Sequence, residues 1–225
     1  MNNQNPIIDI SHHAILWDMD GVIVNNGDFH YQAWVKTMQK LGALFTREQF
    51  NATFGMNNQG LLSTIFKDHL SDQEIIRIGE EKEQIFLELV AGNAVLLPGV
   101  LDWLNRFQSW GFKQAIASSA PQGNIDHHIS ELGIRQYFDA VVSGALLPGK
   151  PAPDVFLEAA RILGVEIEDC IVIEDAIPGV QAAKNAGMKC IAVLTTNNAE
   201  NLMQADLVVE NLEYLKIEQF SSLTG

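Results

Sequence analysis

Short apolar runs and amphipathic stretches alternate along most of the chain. The apolar runs predict buried strands at residues 14–17, 113–118, 139–143, 170–174, 190–194 and 206–209. The amphipathic stretches predict helices at residues 122–132, 154–163 and 177–186. Strands that are apolar throughout are expected where helices cover both faces of a parallel sheet. The pattern therefore predicts an α/β fold built on a parallel sheet.

The segment after the first predicted strand follows a different pattern. It has helical periodicity and no convincing strand, with Trp34 and Met38 one helical turn apart. We predict an inserted all-helical cap domain at residues 27–93, and a core domain formed by residues 1–26 and 94–225. A helical lid over the carboxyl ends of parallel strands is a common place for a ligand to bind.

Composition restricts the class of protein. The chain has 225 residues, of which 47% are hydrophobic, enough to bury a sizeable core. Its 28 acidic and 14 basic residues give a formal net charge of −14, which argues against nucleic acid or an anionic membrane as a partner. No apolar run reaches the roughly 20 residues that cross a bilayer, and the first residues do not resemble a signal peptide. We therefore expect a soluble cytoplasmic protein, with Cys170 and Cys190 as small core side chains.

The first candidate for chemistry is the pair Asp18 and Asp20, directly after the first strand. Two acids this close to the end of a buried strand oppose each other's ionisation unless something binds them. A plain turn is the alternative, because Asp and Gly are common turn residues. A calcium loop is not, because its glycine is the sixth residue, whereas Gly21 is the fourth.

A second acidic pair, Glu174 and Asp175, ends the predicted strand 170–174. Parallel strands end at one edge of the sheet, so the two pairs are expected to meet there. Carboxyl groups gathered in one crevice need a divalent cation. Oxygen ligands without a nearby His or Cys cluster suit Mg²⁺ better than Zn²⁺. The sequence therefore predicts a Mg²⁺ site at this edge.

Groups suited to an anion follow two other strands. Ser118 and Ser119 end the strand 113–118, and Lys150 precedes a helix after the strand 139–143. Hydroxyls, the N–H groups of a first helical turn and a lysine can together hold phosphate oxygens. An N-cap without a ligand and a surface lysine are the alternatives.

Two further patterns are weaker. Residues 144–150 have the spacing of a phosphate-binding P-loop, but Pro151 stands where that motif needs Ser or Thr. His12 and His13 are adjacent, and adjacent side chains point apart on an extended chain, so we do not expect them to share a metal.

In chain order these motifs resemble those of the haloacid dehalogenase superfamily. They are Asp18-Met-Asp-Gly-Val-Ile, Ser118, Lys150 in Lys-Pro-x-Pro-Asp, and Glu174-Asp175-Ala-x-x-Gly179. The resemblance spans essentially the whole chain and is strongest to the phosphatase and β-phosphoglucomutase-like branch. It implies a Rossmann-like core with helices on both faces and a helical cap.

The resemblance also implies residue roles. Asp18 would be the nucleophile that forms an aspartyl phosphate, and Asp20 the general acid and base. Mg²⁺ would be held by Asp18, the Asp20 backbone carbonyl, Glu174 and Asp175. The transferring phosphoryl group would be held by Ser118, Ser119 and Lys150.

The cap departs from the mutase pattern. The mutase holds a second phosphate with a cap arginine near residues 55–58, where this chain has Asn57 and Asn58. Lys82 aligns with the mutase's cap lysine and His30 with its hinge histidine. We therefore predict that His30, Asn58 and Lys82 face the substrate.

The favoured interpretation is a Mg²⁺-dependent phosphatase acting on a small phosphorylated metabolite, with sugar phosphates ahead of nucleotides and pyrophosphate. A β-phosphoglucomutase-type phosphomutase and a catalytically idle phosphoester-binding module are the alternatives. A monomer is sufficient, because the cap can close over its own core.

Overall fold

The computed structural model describes residues 13–67 and 69–224, so His12 and the start of the predicted core lie outside the described residues. Within this range six strands form one parallel sheet in the order β3-β2-β1-β4-β5-β6. The strands are β1 (Ala14–Trp17), β2 (Lys113–Ser118), β3 (Ala140–Ser143), β4 (Cys170–Glu174), β5 (Lys189–Val193) and β6 (Leu207–Val209). The α/β prediction is confirmed, with strand ends within one residue of the predicted ones.

The order of the strands determines where a site can form. β1 lies in the middle, with Trp17 opposite Ile116 of β2 on one side and Ile173 of β4 on the other. Strand order reverses between β1 and β4, and ligands of open α/β sheets bind at such a switch point, outside the carboxyl ends of the strands. Ser118 and Glu174 end the two neighbouring strands at this crevice.

Helices cover both faces of the sheet. Side chains of β1 alternate, so that Ile15 and Trp17 join one apolar cluster and Leu16 joins the other. Helices α5 (Val100–Trp110), α6 (Gln122–Leu132) and α9 (Ile217–Ser221) contribute to the first cluster, and α7 (Asp154–Leu163) and α8 (Ile177–Asn185) to the second. Among the described residues, no helix is long and apolar enough to cross a membrane.

Four helices lie between β1 and α5. They are α1 (Gly27–Lys40), α2 (Arg47–Thr53), α3 (Asn58–Phe66) and α4 (Asp72–Val90). Capping boxes begin α2 at Thr46 and α4 at Ser71, which satisfies N–H groups that the helices leave free. The four helices share an apolar cluster that includes Trp34, Phe50 and Ile78. They occupy the predicted cap range, and its status as a separate domain stays a prediction.

Both cysteines are free and buried on neighbouring strands. Burial raises the pKa of the Cys170 thiol to about 12 and that of Cys190 well above its ordinary value. Thiols that stay protonated are poor nucleophiles, so both act as core side chains.

Phe107 joins α5 to the sheet and to the C-terminal helix. Its ring is fully buried, with centroids 5.9 Å from Trp17 and 5.0 Å from Phe220. We expect Phe107→Ala to lower the free energy of unfolding by about 3–5 kcal/mol, because it leaves a cavity in the core. Urea denaturation measures this change. Leu101→Ala, in the same helix at a position 45% exposed, should change stability by about 0.5 kcal/mol or less. Equal losses would contradict this account of the core.

Candidate active site

Asp18 and Asp20 enter the site from a tight loop after β1. The Asp18 N–H donates to the Ile173 carbonyl at 3.0 Å, which continues the pairing with β4 for one more residue. The N–H groups of Ile23 and Val24 then both donate to the Met19 carbonyl, at 2.9 and 3.0 Å, and turn the chain back. As a result, the side chains of both acids line one cavity.

Lys150 joins two of the acids beneath this cavity. Its Nζ donates to Asp18 Oδ1 at 2.6 Å and to Glu174 Oε1 at 2.7 Å, and all three side chains are buried. Burial works against a charged lysine, but the charges of Asp18 and Glu174 outweigh it and raise the pKa of Lys150. Lys150 is therefore a permanent positive charge inside the site.

Glu174 is fixed in one orientation. Its Oε2 accepts from the N–H groups of Asp175 and Ala176, at 2.8 and 2.9 Å. The first turn of α8 leaves no room beside it, because a Cβ on Gly179 would lie 1.7 Å from Glu174 Oε1. Gly179 of the motif therefore allows the carboxylate to approach the helix backbone.

Asp175 is held by the loop after β5. Thr196 Oγ1 donates to its Oδ2 at 2.6 Å, and Asn197 Nδ2 donates to its backbone carbonyl at 3.1 Å. Its other oxygen, Oδ1, is buried and has no hydrogen-bond partner among the described residues. Thr196 was not among the residues predicted from the sequence, where its one signal was its place after a strand at the same edge.

The acids form a group that fits a divalent cation. Oxygens of Asp18, Glu174 and Asp175 lie within 4.8 Å of one another, while Lys150 supplies a single positive charge. Burial raises the pKa of Asp18 to about 8 despite Lys150, and burial with the charge of Glu174 raises that of Asp175 well above its ordinary value. The orphaned Asp175 Oδ1 and the all-oxygen set match a hard cation such as Mg²⁺.

Asp20 has a different environment. Its Oδ1 accepts from Asn26 Nδ2, and its Oδ2 lies 3.4 Å from His30 Nε2. Burial alone would raise the pKa of Asp20, but His30, with His128 and Asn26, outweighs it and lowers the pKa below the ordinary value. Neighbouring acids whose pKa values are pushed apart are typical of sites that give the two carboxyls different roles.

His30 and Lys82 both line the cavity, and their predicted role in facing the substrate stays a prediction. The His30 ring stacks on Phe86 at 3.8 Å, and its Nδ1 lies 2.8 Å from Lys82 Nζ. Lys82 is itself buried and donates to Glu83 Oε1 at 3.0 Å. A continuous series of polar contacts thus leads from Asp20 through His30 into helix α4.

The two asparagines of the cap have different surroundings. Asn58 lines the cavity, and its Nδ2 donates to Glu83 Oε1 at 2.8 Å. Asn57 instead accepts from an N–H of α3 as its N-cap, and its Nδ2 donates to the carbonyls of Gly144 and Leu147 at 3.2 and 3.0 Å. Asn57 therefore binds the cap to the loop that leads into Lys150.

The two serines also differ. Ser118 lines the cavity, and its Oγ accepts from the Ala120 N–H at 3.1 Å. The Ser119 hydroxyl donates to the Gly55 carbonyl of the cap at 2.7 Å. Its proton is thus committed to a contact between cap and core, and a phosphate-binding role for Ser119 stays a prediction.

The cavity lies between the sheet edge and helices α1 to α4. Acids and Ser118 form one end of it. Its remaining walls combine polar cap groups with an apolar surface formed by Trp34, Phe50, Phe54, Met56 and Leu61. Sites with few polar groups on an apolar wall are typical of small-molecule pockets.

The family model for haloacid dehalogenase-like hydrolases matches residues 15–193. The chain belongs to this family. The resemblance drawn from the motifs is thereby confirmed, and the chain is an enzyme of the hydrolase class.

Named relatives of this hydrolase include phosphatases. A phosphorylated carbohydrates phosphatase from Thermotoga maritima is 31% identical over 203 residues, which are 87% of this chain and 92% of the relative. SUPPRESSOR OF QUENCHING 1, a chloroplastic protein of Arabidopsis thaliana, is 37% identical over 81% of this chain, but the chain spans 18% of that longer protein. The crystal structure of beta-phosphoglucomutase from Clostridium difficile has a TM-score of 0.83 and 31% identity, covering 94% of this chain and 96% of that one.

Asn57 provides a test of how the cap of this haloacid dehalogenase-like hydrolase is held. Asn57→Ser keeps an N-cap oxygen for α3 but removes the amide donor to Gly144 and Leu147. We expect amide hydrogen exchange in residues 144–150 to become about 5- to 30-fold faster, as for the loss of about 1–2 kcal/mol. Mass spectrometry of the corresponding peptide measures it. Asn198→Ser changes an N-cap elsewhere and should leave this peptide unaffected; an equal change would refute the role of Asn57.

Proposed function

We propose that this hydrolase is a Mg²⁺-dependent phosphatase that acts on a small phosphorylated metabolite, a sugar phosphate foremost, through an aspartyl-phosphate intermediate. The observation that carries the proposal is the placement of Asp18 and Asp20 in one cavity, where oxygens of Asp18, Glu174 and Asp175 lie within 4.8 Å of one another. The phosphorylated carbohydrates phosphatase of Thermotoga maritima supports the substrate class.

In the first half of the reaction, a carboxylate oxygen of Asp18 attacks phosphorus in line with the leaving oxygen. A bond forms between Asp18 and phosphorus, the bond to the leaving oxygen breaks, and Asp20 gives that oxygen a proton. Asp20 is ionised before substrate binds. The negative charge of an arriving phosphoryl group raises its pKa and so favours the protonated form that this step needs.

In the second half, a water molecule attacks phosphorus on the side opposite Asp18. Asp20 takes the proton from that water, inorganic phosphate leaves, and the Asp18 carboxylate is restored. Lys150 and Ser118 hold the phosphoryl oxygens, where a fixed charge and a preoriented hydroxyl stabilise the charge of the transition state. The cap, as a domain of residues 27–93, keeps bulk water from the intermediate.

The residues that would hold Mg²⁺ are Asp18, Glu174, Asp175 and the backbone carbonyl of Asp20. The ion would neutralise phosphoryl oxygens that otherwise repel an attacking carboxylate. Thr196 keeps Asp175 oriented for this role, as groups around metal ligands commonly do.

A phosphomutase is the second candidate. The contact between Lys82 and His30, at the positions of the mutase's cap lysine and hinge histidine, favours it. Against it stands Asn57, which occupies the region of the mutase's arginine and is committed to Gly144 and Leu147. The contacts of Asn57 therefore favour hydrolysis over phosphoryl transfer between two positions of a sugar.

The proposal predicts phosphate release from a panel of phosphomonoesters with Mg²⁺, measured colorimetrically. Asp18→Asn should reduce kcat by about 10³-fold or more, because it removes the nucleophile. Asp28→Asn, at an exposed acid on the first turn of α1, should change kcat less than about twofold.

Other outcomes separate the alternatives. If wild type releases no phosphate but interconverts glucose phosphates when given a bisphosphate, the protein is a mutase. If it binds phosphoesters and Mg²⁺ without either reaction, it is an idle binding module.

The metal site has a test of its own. Mg²⁺ at about 100 times its Kd should raise the free energy of unfolding by about 2.7 kcal/mol, and EDTA should abolish both this gain and the activity. Thr196→Val removes the hydrogen bond to Asp175 Oδ2 and should weaken Mg²⁺ binding about 10- to 100-fold, as read from thermal unfolding. Thr64→Val, on an exposed face of α3, should leave Mg²⁺ binding unchanged. Unfolding that is indifferent to Mg²⁺ in wild type would exclude the metal site.

A further inference from the structure

Glu83 is an acid of the cap that neither step of the proposed reaction uses. It follows Lys82 on helix α4 and lines the cavity, with 13% of its side chain exposed. Its Oε1 accepts from Asn58 Nδ2 and Lys82 Nζ, and its Oε2 accepts from Asn124 Nδ2 of helix α6 at 2.6 Å. Three donors from three different elements thus orient this carboxylate toward the cavity.

Glu83 also cancels the positive charge of Lys82, its neighbour on helix α4. Among the described residues that line the cavity, Lys82 is the one Lys or Arg, and its Nζ lies 3.0 Å from Glu83 Oε1. The charge of Lys82 and the hydrogen bonds outweigh burial and lower the pKa of Glu83, so the carboxylate is ionised. The Lys82–Glu83 pair therefore adds no net charge to the cavity.

The unused hydrogen-bonding positions of Glu83 and Lys82 also favour an uncharged group of the substrate at this place. A carboxylate offers about four acceptor positions, and three of those of Glu83 are filled. An ammonium has three donors, and Lys82 uses two of them on Glu83 and His30. One acceptor and one donor remain side by side. A hydroxyl group, which both donates and accepts, satisfies the two together.

A second phosphate group on the substrate satisfies the free acceptor of Glu83 and the free donor of Lys82 poorly. Its oxygens are acceptors when ionised, so the free position on Glu83 has no donor to receive, and two negative groups meet in a site with little water. The adjacent lysine is already paired and cannot offset that repulsion alone.

We propose that Glu83 is a specificity-determining residue that selects phosphomonoesters with an uncharged, hydroxyl-bearing leaving group and rejects those with a second phosphate. The inference rests on the proposed function, since it concerns the group that leaves when Asp18 takes the phosphoryl group.

The test compares sugars that differ by one phosphate. The probes are fructose 1-phosphate against fructose 1,6-bisphosphate, and glucose 6-phosphate against glucose 1,6-bisphosphate, with the Mg²⁺-loaded protein. The pair that wild type hydrolyses with the higher kcat/KM is the one that decides. Within that pair, we expect the monophosphate to have a higher kcat/KM than the bisphosphate. Glu83→Gln should reduce this preference about tenfold or more, because it removes the repelling charge while keeping the side-chain shape.

Glu80→Gln is the matched control, an exposed acid on the same helix outside the cavity, and should leave the preference unchanged. A wild type that uses the bisphosphate as well as the monophosphate overturns the proposal, and this measurement needs no variant to fold. An unchanged preference in Glu83→Gln overturns it too.

Calorimetry distinguishes failure of the Glu83 proposal from failure of the proposed phosphatase function. Binding of the same four sugars to Asp18→Asn reports the preference without turnover. If wild type releases no phosphate from any sugar, the proposed function fails, and the order of the calorimetric affinities still decides the role of Glu83. Tighter binding of the monophosphates that is lost when Glu83→Gln is added to Asp18→Asn supports that role, and a preference that is absent or that survives Glu83→Gln refutes it.

Discussion

An excess of negative charge is buried at the edge of the sheet, and the surrounding loops are arranged to hold it. Asp18, Glu174 and Asp175 lie together with Lys150 as their one lysine partner. Buried charges are costly unless they are paired and hydrogen-bonded, and the surroundings of each acid answer that requirement with backbone N–H groups, a threonine hydroxyl or an ammonium. The incomplete charge balance supports the proposal that this edge binds a cation, and then a phosphate dianion, in a chain whose net charge is −14.

The parallel sheet makes this concentration of charge possible. Central placement of β1 between β2 and β4 brings residues that are more than 100 positions apart in the chain to one crevice. Apolar clusters on both faces of the sheet keep the strands packed, so the ends of β1 and β4 bring Asp18 and Glu174 together. The helical segment then adds the opposite wall of the cavity.

The sequence was sufficient for the fold and for the residues at the strand ends. Asp18, Lys150 and Glu174 were predictable because a general rule places the carboxyl ends of parallel strands at one edge. Thr196 and Glu83 were not, because their partners depend on loop paths and on how the helices lie over the sheet. Asn57 illustrates the same limit: its position suggested a replacement for a phosphate-binding arginine, whereas its amide binds Gly144 and Leu147. The local sequence pattern therefore indicates which residues lie near the site, whereas the paths of loops and helices decide which groups those residues contact.

The contacts between the cap and the core have a consequence for the end of the catalytic cycle. Asn57 binds the loop before Lys150, and Ser119 next to Ser118 binds Gly55, so the hydrogen bonds between cap and core are made by the same loops that we propose hold the phosphoryl group. Opening the cap thus disturbs both loops at once. In the proposed reaction, departure of the dephosphorylated product and release of inorganic phosphate would therefore be parts of one movement of the cap.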